Sequence, residues 1–184
     1  MTLLIQFQQN WQFHFAPLIL PRQKILLALS GGIDSAVLAH LLHQSKIEFI
    51  AAHVNYQLRG AESDRDERFV VSLCEGLDVP LLIKKIDTKN YMSEQDLSVQ
   101  VAAREIRYNW FDEIRLNDIT LNHAWVATAH HANDSVETSM MHFFRGTGIE
   151  GLKGIPALHH TKRIIRPLLP FFRSQIDQYA QENG

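Results

Sequence analysis

The stretch SGGIDS, residues 30–35, combines residue types that bind phosphate and lies between two apolar segments. Its two glycines let the backbone adopt positive φ values and turn successive N–H groups toward one anion. A helix that begins near Asp34 adds the partial positive charge of its N-terminus, and the hydroxyls of Ser30 and Ser35 can donate to phosphate oxygens. A plain glycine turn capped by Asp34 would use only Gly32 and Asp34, so we favour a phosphate site.

The carboxylate of Asp34 is unexpected beside phosphates, because it repels them unless a divalent cation lies between. Mg²⁺ prefers a carboxylate together with substrate phosphates. The sequence therefore predicts a nucleotide bound with Mg²⁺, and Asp34 is the candidate metal ligand. The common phosphate loop GxxxxGK[ST] is absent, and no lysine follows the glycines.

A second group of reactive side chains follows the apolar segment AWVATA, residues 124–129. Asp134 and Glu137 are three positions apart at a helix start, so both carboxylates face the same way. They can bind ammonium groups or support Mg²⁺, although Asp at the N-cap with Glu at N3 is also an ordinary helix cap. His130 or His131 can contact a phosphate or a base edge, and we expect at least one to be buried and satisfied.

Arg107 borders the apolar stripe of a long predicted helix. The stripe consists of Val99, Ala103, Ile106, Trp110 and Ile114. An always-charged guanidinium beside a buried face needs an anion, either a substrate group or an internal carboxylate. Position alone leaves both alternatives open. Arg104, one turn earlier, is expected to point further toward solvent.

Short apolar runs alternate along the chain with longer segments of helical period. The predicted strands are residues 24–29, 47–54, 80–86, 124–129 and 163–168. The predicted helices are residues 34–44, 63–77, 98–117, 134–145 and 173–182. This order predicts an α/β fold with a doubly wound, mostly parallel five-stranded sheet and helices on both faces. Its site is expected at the carboxyl ends of the strands.

Three further local expectations concern segments between these elements. Ser63 with Asp66 resembles a capping box that opens the second predicted helix. The polar residues 87–98 are predicted to form a mobile loop. Residues 1–20 are ambiguous and are read as a helix packed on the sheet.

Composition narrows the class of protein. The chain has 184 residues, 46% of them hydrophobic, and a net charge of −2, which suits one soluble globular domain rather than a strongly basic nucleic-acid coat. No apolar run is long enough to cross a bilayer, and no signal peptide is recognisable. The single cysteine, Cys74, forms no intramolecular disulfide and lies at helical spacing among apolar residues, so we expect a core position and a cytoplasmic protein.

Charge is unevenly distributed toward the C-terminus. Residues 151–176 contain no acid, but they include five cations, a patch that can meet phosphate or serve as an ordinary solvated face: Lys153, Lys162, Arg163, Arg166 and Arg173. The preceding GTGIEG, residues 146–151, matches GxGxxG but follows a helix, so it is not expected to bind a dinucleotide. With Arg145 before it, this stretch is expected to form a loop over the nucleotide.

Several sequence motifs, taken in their order along the chain, resemble those of a known family. SGGIDS resembles the SGGxDS signature of the PP-loop ATP pyrophosphatases, which cleave ATP between its α- and β-phosphates. The other motifs are HVNYQLRGAESDRD (53–66), AAREIRY (102–108), TAHHANDSVET (128–138), FFRGTGIEGLKGI (143–155) and RPLL (166–169). Together they are similar to the tRNA(Ile)-lysidine synthetase family over about residues 22–184. Tyr56 stands where that family usually has histidine.

The resemblance implies a two-step reaction at the wobble cytidine of a tRNA(Ile) with a CAU anticodon. The C2 oxygen of cytosine attacks the α-phosphate of ATP and releases pyrophosphate. The ε-amino group of free L-lysine then displaces AMP and forms lysidine. The implied architecture is an N-terminal extension, residues 1–21, and a catalytic domain, residues 22–184, without the C-terminal tRNA-binding domains of relatives. A second copy of the chain, in a homodimer, is a further candidate partner.

The resemblance also implies a set of site residues. Asp34, Arg107, His130, Asp134 and Glu137 are implied to be catalytic, and Asp34 to bind Mg²⁺. Arg107, Asp134 and Glu137 are implied to bind lysine. ATP is implied to contact Ala28, Ser30, Gly31, Gly32, Ile33, Asp34, Ser35, His53, Arg145 and Gly146. The alternatives are another PP-loop tRNA-modifying enzyme, such as a thiolase, and an ATP-binding module without catalysis.

Overall fold

The computed structural model describes residues 1–146 and 153–183. The first half contains α1 (Leu3–His14), a short 3₁₀ turn (Ala16–Leu18), β1 (Ile25–Ala28), α2 (Ile33–Gln44), β2 (Phe49–Asn55), α3 (Ala61–Gly76) and β3 (Leu81–Lys85). The second half contains α4 (Thr88–Gln95), α5 (Val99–Asn117), β4 (Val126–Ala127), α6 (Ala132–Phe144), β5 (Leu158–His159), β6 (Ile164–Ile165) and α7 (Arg173–Asn183).

The strands form one sheet in the order β3-β2-β1-β4-β6-β5. All neighbouring pairs are parallel except β5 with β6, which is antiparallel. The predicted doubly wound, mostly parallel sheet is therefore confirmed, but it has six described strands rather than five. The additional strand, β5, contains His159 and is followed by polar residues, so it lacks the apolar run that reveals the equally short β4 and β6.

Each face of the sheet is covered by its own hydrophobic layer. In β1, Ile25 and Leu27 pack with α1, α2, α3 and α7, whereas Leu26 faces the layer formed with α5. This alternation follows from the two-residue period of a strand and is why β1 is apolar throughout. Cys74 is buried in the first layer, as predicted.

The N-terminal helix belongs to that same layer. Phe7 is fully buried and Trp11 is buried, and both pack in the layer that contains α2 and α7. The expected helix in residues 1–20 is therefore confirmed. The proposed boundary between residues 21 and 22 stays a prediction.

Two local predictions were wrong. Residues 88–95 of the predicted loop form helix α4, because the Asp87 carboxylate accepts hydrogen bonds from the N–H groups of Lys89 and Asn90. Helix α3 begins at Ala61 after Gly60, so Ser63 is not its cap. The Ser63 hydroxyl instead accepts from the backbone N–H of Arg59.

Helix α6 also begins earlier than predicted. His131 is its N-cap, and Asp134 lies at N3, where its carboxylate accepts from the His131 N–H at 2.9 Å. The predicted arrangement with Asp134 at the N-cap is therefore wrong. Among the helices that the structure describes, none is both long and apolar enough to cross a membrane.

Candidate active site

The SGGIDS stretch forms a tight loop between β1 and α2. Gly31 has φ +91°, and a Cβ there would lie 3.2 Å from the Cβ of Asp66, so both conformation and space require glycine. Gly32 has φ −81° and ψ 159°, which any residue can adopt. The prediction that both glycines take positive φ values is therefore wrong for Gly32.

The two serines brace this loop from within. The Ser35 hydroxyl donates to the Gly32 carbonyl at 2.8 Å and accepts from the Ser30 N–H at 3.2 Å. The Ser30 Oγ lies 3.0 Å from the Ser35 Oγ. Because the single Ser35 proton is committed to Gly32, Ser30 is the serine whose hydroxyl can turn toward a ligand. Whether either serine donates to phosphate stays a prediction.

The start of α2 leaves backbone donors open. The first-turn N–H groups of Ile33, Asp34 and Ser35 have no intrahelical acceptor, and Gly32 supplies no side-chain cap. These donors lie at the carboxyl edge of the central strand β1, where the helix dipole also favours negative charge. The loop can therefore bind an anion through its backbone.

A cleft of about 230 Å³ lies beside the loop. It is bounded by the ends of β1 and β2, the start of α3 and helix α5. Its lining includes Ala28, Ser30, His53, Tyr56, Asp66 and Arg107. The structure thus brings together, as predicted, the loop, His53 and Arg107.

His53 presents a hydrogen-bond acceptor to this cleft. Its ring is almost fully buried, and Nδ1 lies 2.9 Å from the Leu29 carbonyl oxygen. A carbonyl only accepts, so Nδ1 carries the proton and Nε2 has a lone pair in the neutral ring. Nε2 is buried and has no hydrogen-bond partner among the described residues. It can therefore accept from a ligand N–H.

Arg107 has no internal counter-ion within the described residues. Its Nε is buried without a hydrogen-bond partner, and its guanidinium carbon lies 5.5 Å from the centroid of the Tyr108 ring. The alternative of an internal ion pair is therefore wrong for the described part of the chain. The guanidinium is available to an anionic ligand in the cleft.

Asp34 lies on the acidic side of the site, at the start of α2. Its Oδ2 accepts from Arg173 Nη1 at 2.9 Å, while its Oδ1 is buried without a hydrogen-bond partner and lies 3.8 Å from His131 Nε2. Burial raises the pKa of Asp34, although the positive charge of Arg173 opposes this. One carboxylate oxygen is thus held, and the other is left for a cation.

Arg173 is a site residue that sequence reasoning missed. It begins α7, and its Nε also donates to Asp177 at 2.8 Å, so one guanidinium joins two carboxylates. The available signals were its place in the acid-free stretch of residues 151–176 and the Asp four positions later. Neither signal indicates Asp34 as its partner.

The start of α6 adds a second carboxylate next to Asp34. His131 is buried, and its Nδ1 lies 3.6 Å from Asp134 Oδ2, so one imidazole separates the two aspartates. Glu137 is exposed on the next turn and makes no hydrogen bond or ion pair with the residues that the structure describes. Of the predicted acidic pair, Asp134 is therefore located beside Asp34, with the buried His131 between them, whereas Glu137 is exposed.

His130 lies close enough to Asp134 and to three arginines to interact electrostatically with both signs of charge. Its Nδ1 lies 2.9 Å from the Thr128 hydroxyl. The pKa of His130 is lowered to about 4, mainly by burial and also by the charges of Arg166, Arg107 and Arg104, against the opposing charge of Asp134. His130 is therefore neutral near pH 7 and serves as a hydrogen-bonding group, not as a cation.

The structure does not bring Arg145 and Gly146 to the cleft. They end α6, a helix of 13 residues, so they lie about 18 Å along its axis from the end that carries Asp134. Gly146 has φ +68°, as at many helix C-termini. The rest of GTGIEG, with its predicted role as a loop over the nucleotide, lies outside the described residues.

The carboxylates fit a magnesium ion that is completed by phosphates. Mg²⁺ is usually held by one or two carboxylates together with substrate phosphates and water. Asp34 supplies a buried oxygen without a hydrogen-bond partner, and Asp134 is close enough to raise its pKa. Over residues 1–146 and 153–183, no group of three or more His, Cys, Asp or Glu side chains could hold a metal ion by itself.

Comparison with known proteins identifies the family of the chain. The family model of the PP-loop domain matches residues 3–184. The tRNA(Ile)-lysidine synthase of Bacteroides thetaiotaomicron is 46% identical over 167 residues, which cover 91% of this chain and 38% of that protein. That of Porphyromonas gingivalis is 46% identical over 155 residues, 84% of this chain and 33% of its own length. The chain thus spans about a third of the length of these relatives.

Solved structures share the fold at low identity. The U34-tRNA thiolase NcsA from Methanococcus maripaludis, described with its [4Fe-4S] cluster, superposes with a TM-score of 0.73 at 21% identity, covering 96% of this chain and 63% of its own. The NH3-dependent NAD synthetase from Campylobacter jejuni has a TM-score of 0.57 at 19% identity, covering 98% and 69%.

The motif resemblance is therefore confirmed by similarity along most of the chain. The open loop after β1, the sheet order and the family model agree on one assignment. The chain belongs to the PP-loop domain family.

Proposed function

We propose that residues 22–184 form the catalytic domain of an ATP-dependent ligase that joins lysine to C2 of the wobble cytidine of tRNA(Ile). One observation carries this proposal: the open amides of the loop lie between an unpaired Arg107 and a carboxylate pair, Asp34 and Asp134. A triphosphate, an electron-rich base and a dicationic amino acid require such an arrangement. The curated relatives named tRNA(Ile)-lysidine synthase support it.

ATP binding uses the loop and the cleft. The N–H groups at the start of α2 bind phosphate oxygens, and Ser30 can add one hydroxyl donor. The lone pair of His53 Nε2 suits the exocyclic amino group of adenine. Mg²⁺, held by Asp34 and the phosphates, would neutralise charge that develops during cleavage of the α–β bond.

In the first step, cytosine O2 bonds to the α-phosphorus, and the bond to pyrophosphate breaks. Arg107, uncompensated in the cleft, stabilises the negative charge on the phosphoryl oxygens. His130 is neutral and can hydrogen-bond the base without adding charge. The product is an adenylated cytidine held at the carboxyl edge of the sheet.

In the second step, the lysine ε-nitrogen bonds to C2, and the C2–O bond to AMP breaks. The carboxylates of Asp134 and Glu137, one turn apart on α6, bind the ammonium groups of lysine. The ε-ammonium must lose a proton before its nitrogen can attack, and the exposed Glu137 provides a route for that proton to solvent.

A sulfur-transferring relative is the strongest alternative, because a U34-tRNA thiolase shares the fold. Within the 184 residues there is one cysteine, Cys74, which is buried in the core. Burial raises its pKa to about 11, so little thiolate forms near pH 7. The chemistry of the described side chains therefore favours a reaction that attaches an amine to the base over one that transfers sulfur to it.

A reconstitution assay tests the proposal. The protein, ATP, Mg²⁺ and a tRNA(Ile) transcript with a CAU anticodon are incubated with radiolabelled lysine, and label in RNA is measured together with AMP. We expect lysine-dependent labelling, and none when uridine replaces the wobble cytidine. AMP formation on the same RNA with ammonium or sulfide but not lysine would reject the ligase, and ATP binding without any AMP would indicate a non-catalytic module.

The homodimer and the cytoplasmic location stay predictions. Sedimentation equilibrium of the purified chain tests the first, and cell fractionation tests the second.

A further inference from the structure

The ring of Tyr108 is surrounded by cations from two parts of the chain. The guanidinium carbons of Arg104 and Arg107 lie 5.0 Å and 5.5 Å from its centroid, and Lys162 Nζ lies 5.8 Å from it. Arg104 and Arg107 come from α5, whereas Lys162 precedes β6. Such contacts hold cations near a ring face, although each is worth little when exposed.

Arg166 adds a fourth, buried cation to this group. It is only 6% exposed, and its Nη1 donates to the Pro156 carbonyl oxygen at 2.6 Å, while its buried Nε has no hydrogen-bond partner. It is close enough to interact electrostatically with Tyr108 and Arg104. We call Arg104, Arg107, Lys162 and Arg166 the Tyr108 cation cluster.

The Tyr108 cation cluster lacks carboxylate partners. In the described ranges, none of its four members forms an ion pair with Asp or Glu. Four converging cations repel one another, and the cost is greatest where burial reduces solvent screening. An external anion would remove this repulsion.

The cluster extends from the cleft to the surface. Arg107 lines the cleft, whereas Arg104 and Lys162 do not line it and are exposed. A single small anion in the cleft does not need cations along such a path. A base that reacts in the cleft, however, remains attached to its strand, so the flanking phosphodiesters must leave past the rim.

We propose that the members of the Tyr108 cation cluster outside the cleft, Arg104 and Lys162, bind the phosphodiester backbone of the RNA strand that flanks the reacting nucleotide, while Arg107 stays with the phosphates inside the cleft. The inference rests on the proposed function, because it takes an RNA base as the group in the cleft. RNA is favoured over an acidic peptide because the cluster is continuous with a cleft that accepts a nucleotide. Arg104 and Lys162 are its outermost contacts.

The test compares binding of an anticodon stem-loop RNA by the full chain and two charge-matched double variants. Arg104→Gln with Lys162→Gln removes the outer contacts, whereas Arg22→Gln with Lys46→Gln removes two exposed cations next to the opposite, amino edge of β1 and β2. Fluorescence anisotropy at several salt concentrations gives the affinity and its salt dependence. ATP affinity and a thermal melt are measured on each protein.

We expect the first variant to bind RNA roughly tenfold more weakly, with the slope of log K against log salt reduced by about 1.4, or about 0.7 per lost single-strand contact. ATP affinity and melting temperature should match those of the control. Tyr108→Leu, which removes the ring without changing charge, should weaken RNA binding with a smaller change in slope.

Other results overturn the inference in distinguishable ways. Unchanged RNA affinity and slope would show that the cluster does not contact the strand. Equal losses of RNA and ATP affinity would assign the cations to the nucleotide, and a polyglutamate peptide that competes as well as RNA would assign them to acidic protein. Normal RNA binding without lysine incorporation would instead reject the proposed function and leave this inference standing.

Discussion

Asp34 and Arg107 lie on opposite sides of the SGGIDS loop beside the cleft. They differ in whether their charge has an internal counter-ion. Asp34 is held by Arg173 at 2.9 Å, and Arg173 is shared with Asp177. Arg107 has no counter-ion among the described residues, and its Nε is buried without a partner. Asp34 on the acidic side thus has an internal counter-ion, whereas Arg107 on the cationic side has none among the described residues.

The difference indicates how each side meets its ligand. An unpaired guanidinium needs no rearrangement to bind an anion, so the cationic side is preorganised. On the acidic side, a cation must compete with Arg173 for Asp34, although the second oxygen of that carboxylate is still open. Four substitutions test this contrast, from the largest expected effect to the smallest.

Asp34→Asn should have the largest effect, a loss of AMP formation of about 1,000-fold, because the metal contributes several kcal/mol of charge stabilisation. Single-turnover AMP release measures it. Asp78→Asn is the matched control, since Asp78 is exposed beyond the C-terminal end of α3, and asparagine tolerates its φ of +53°. AMP formation by Asp34→Asn that equals this control would refute the metal role.

Arg107→Ala should reduce kcat/KM about 100-fold with little change in melting temperature, because the guanidinium stabilises no carboxylate in the described chain. Arg107→Lys keeps the charge but loses the planar fork, so it should restore only part of the activity. If Arg107→Ala unfolds instead, the side chain has a structural role that its lack of partners does not explain.

His130 should make the fold acid-sensitive. Its pKa is about 4 in the folded chain against 6.5 for an unperturbed histidine, so the unfolded state binds the extra proton between these values. Stability therefore falls as pH decreases through this window, by about 3 kcal/mol at most. Thermal melts from pH 7 to pH 4 should show a smaller decrease for His130→Gln. An identical decrease in both proteins would mean that His130 titrates normally.

Arg173→Gln should have the smallest effect and the opposite sign. A partly exposed pair contributes at most about 1 kcal/mol, so freeing Asp34 should raise Mn²⁺ affinity by less than about fivefold without ATP. Asp177→Asn should lower it, because it removes a carboxylate that competes for Arg173. Calorimetric titration measures both, and weaker Mn²⁺ binding by Arg173→Gln would show that Arg173 supports the metal site rather than opposing it.

Much of the fold could be predicted because its signals are local. The five predicted strands and the five predicted helices are all present because apolar periods reveal them, and Gly31 follows from the need for a positive φ. The predicted starts of α3 and α6 were wrong, and α4 was predicted as a loop, because Ser63, Asp134 and Asp87 can each serve as a cap or as another contact. A polar side chain does not reveal which hydrogen bond it makes until its neighbours are placed.

The sequence by itself determined the strand–loop–helix unit around SGGIDS and the helix that carries Arg107, because both depend on residues within a few turns of each other. Only the tertiary structure decided that Arg173 holds Asp34 across 139 positions, and that Arg107 is left without a counter-ion. Such pairings depend on strand order and on which side chains the packing brings within about 4 Å, and no local preference encodes that distance.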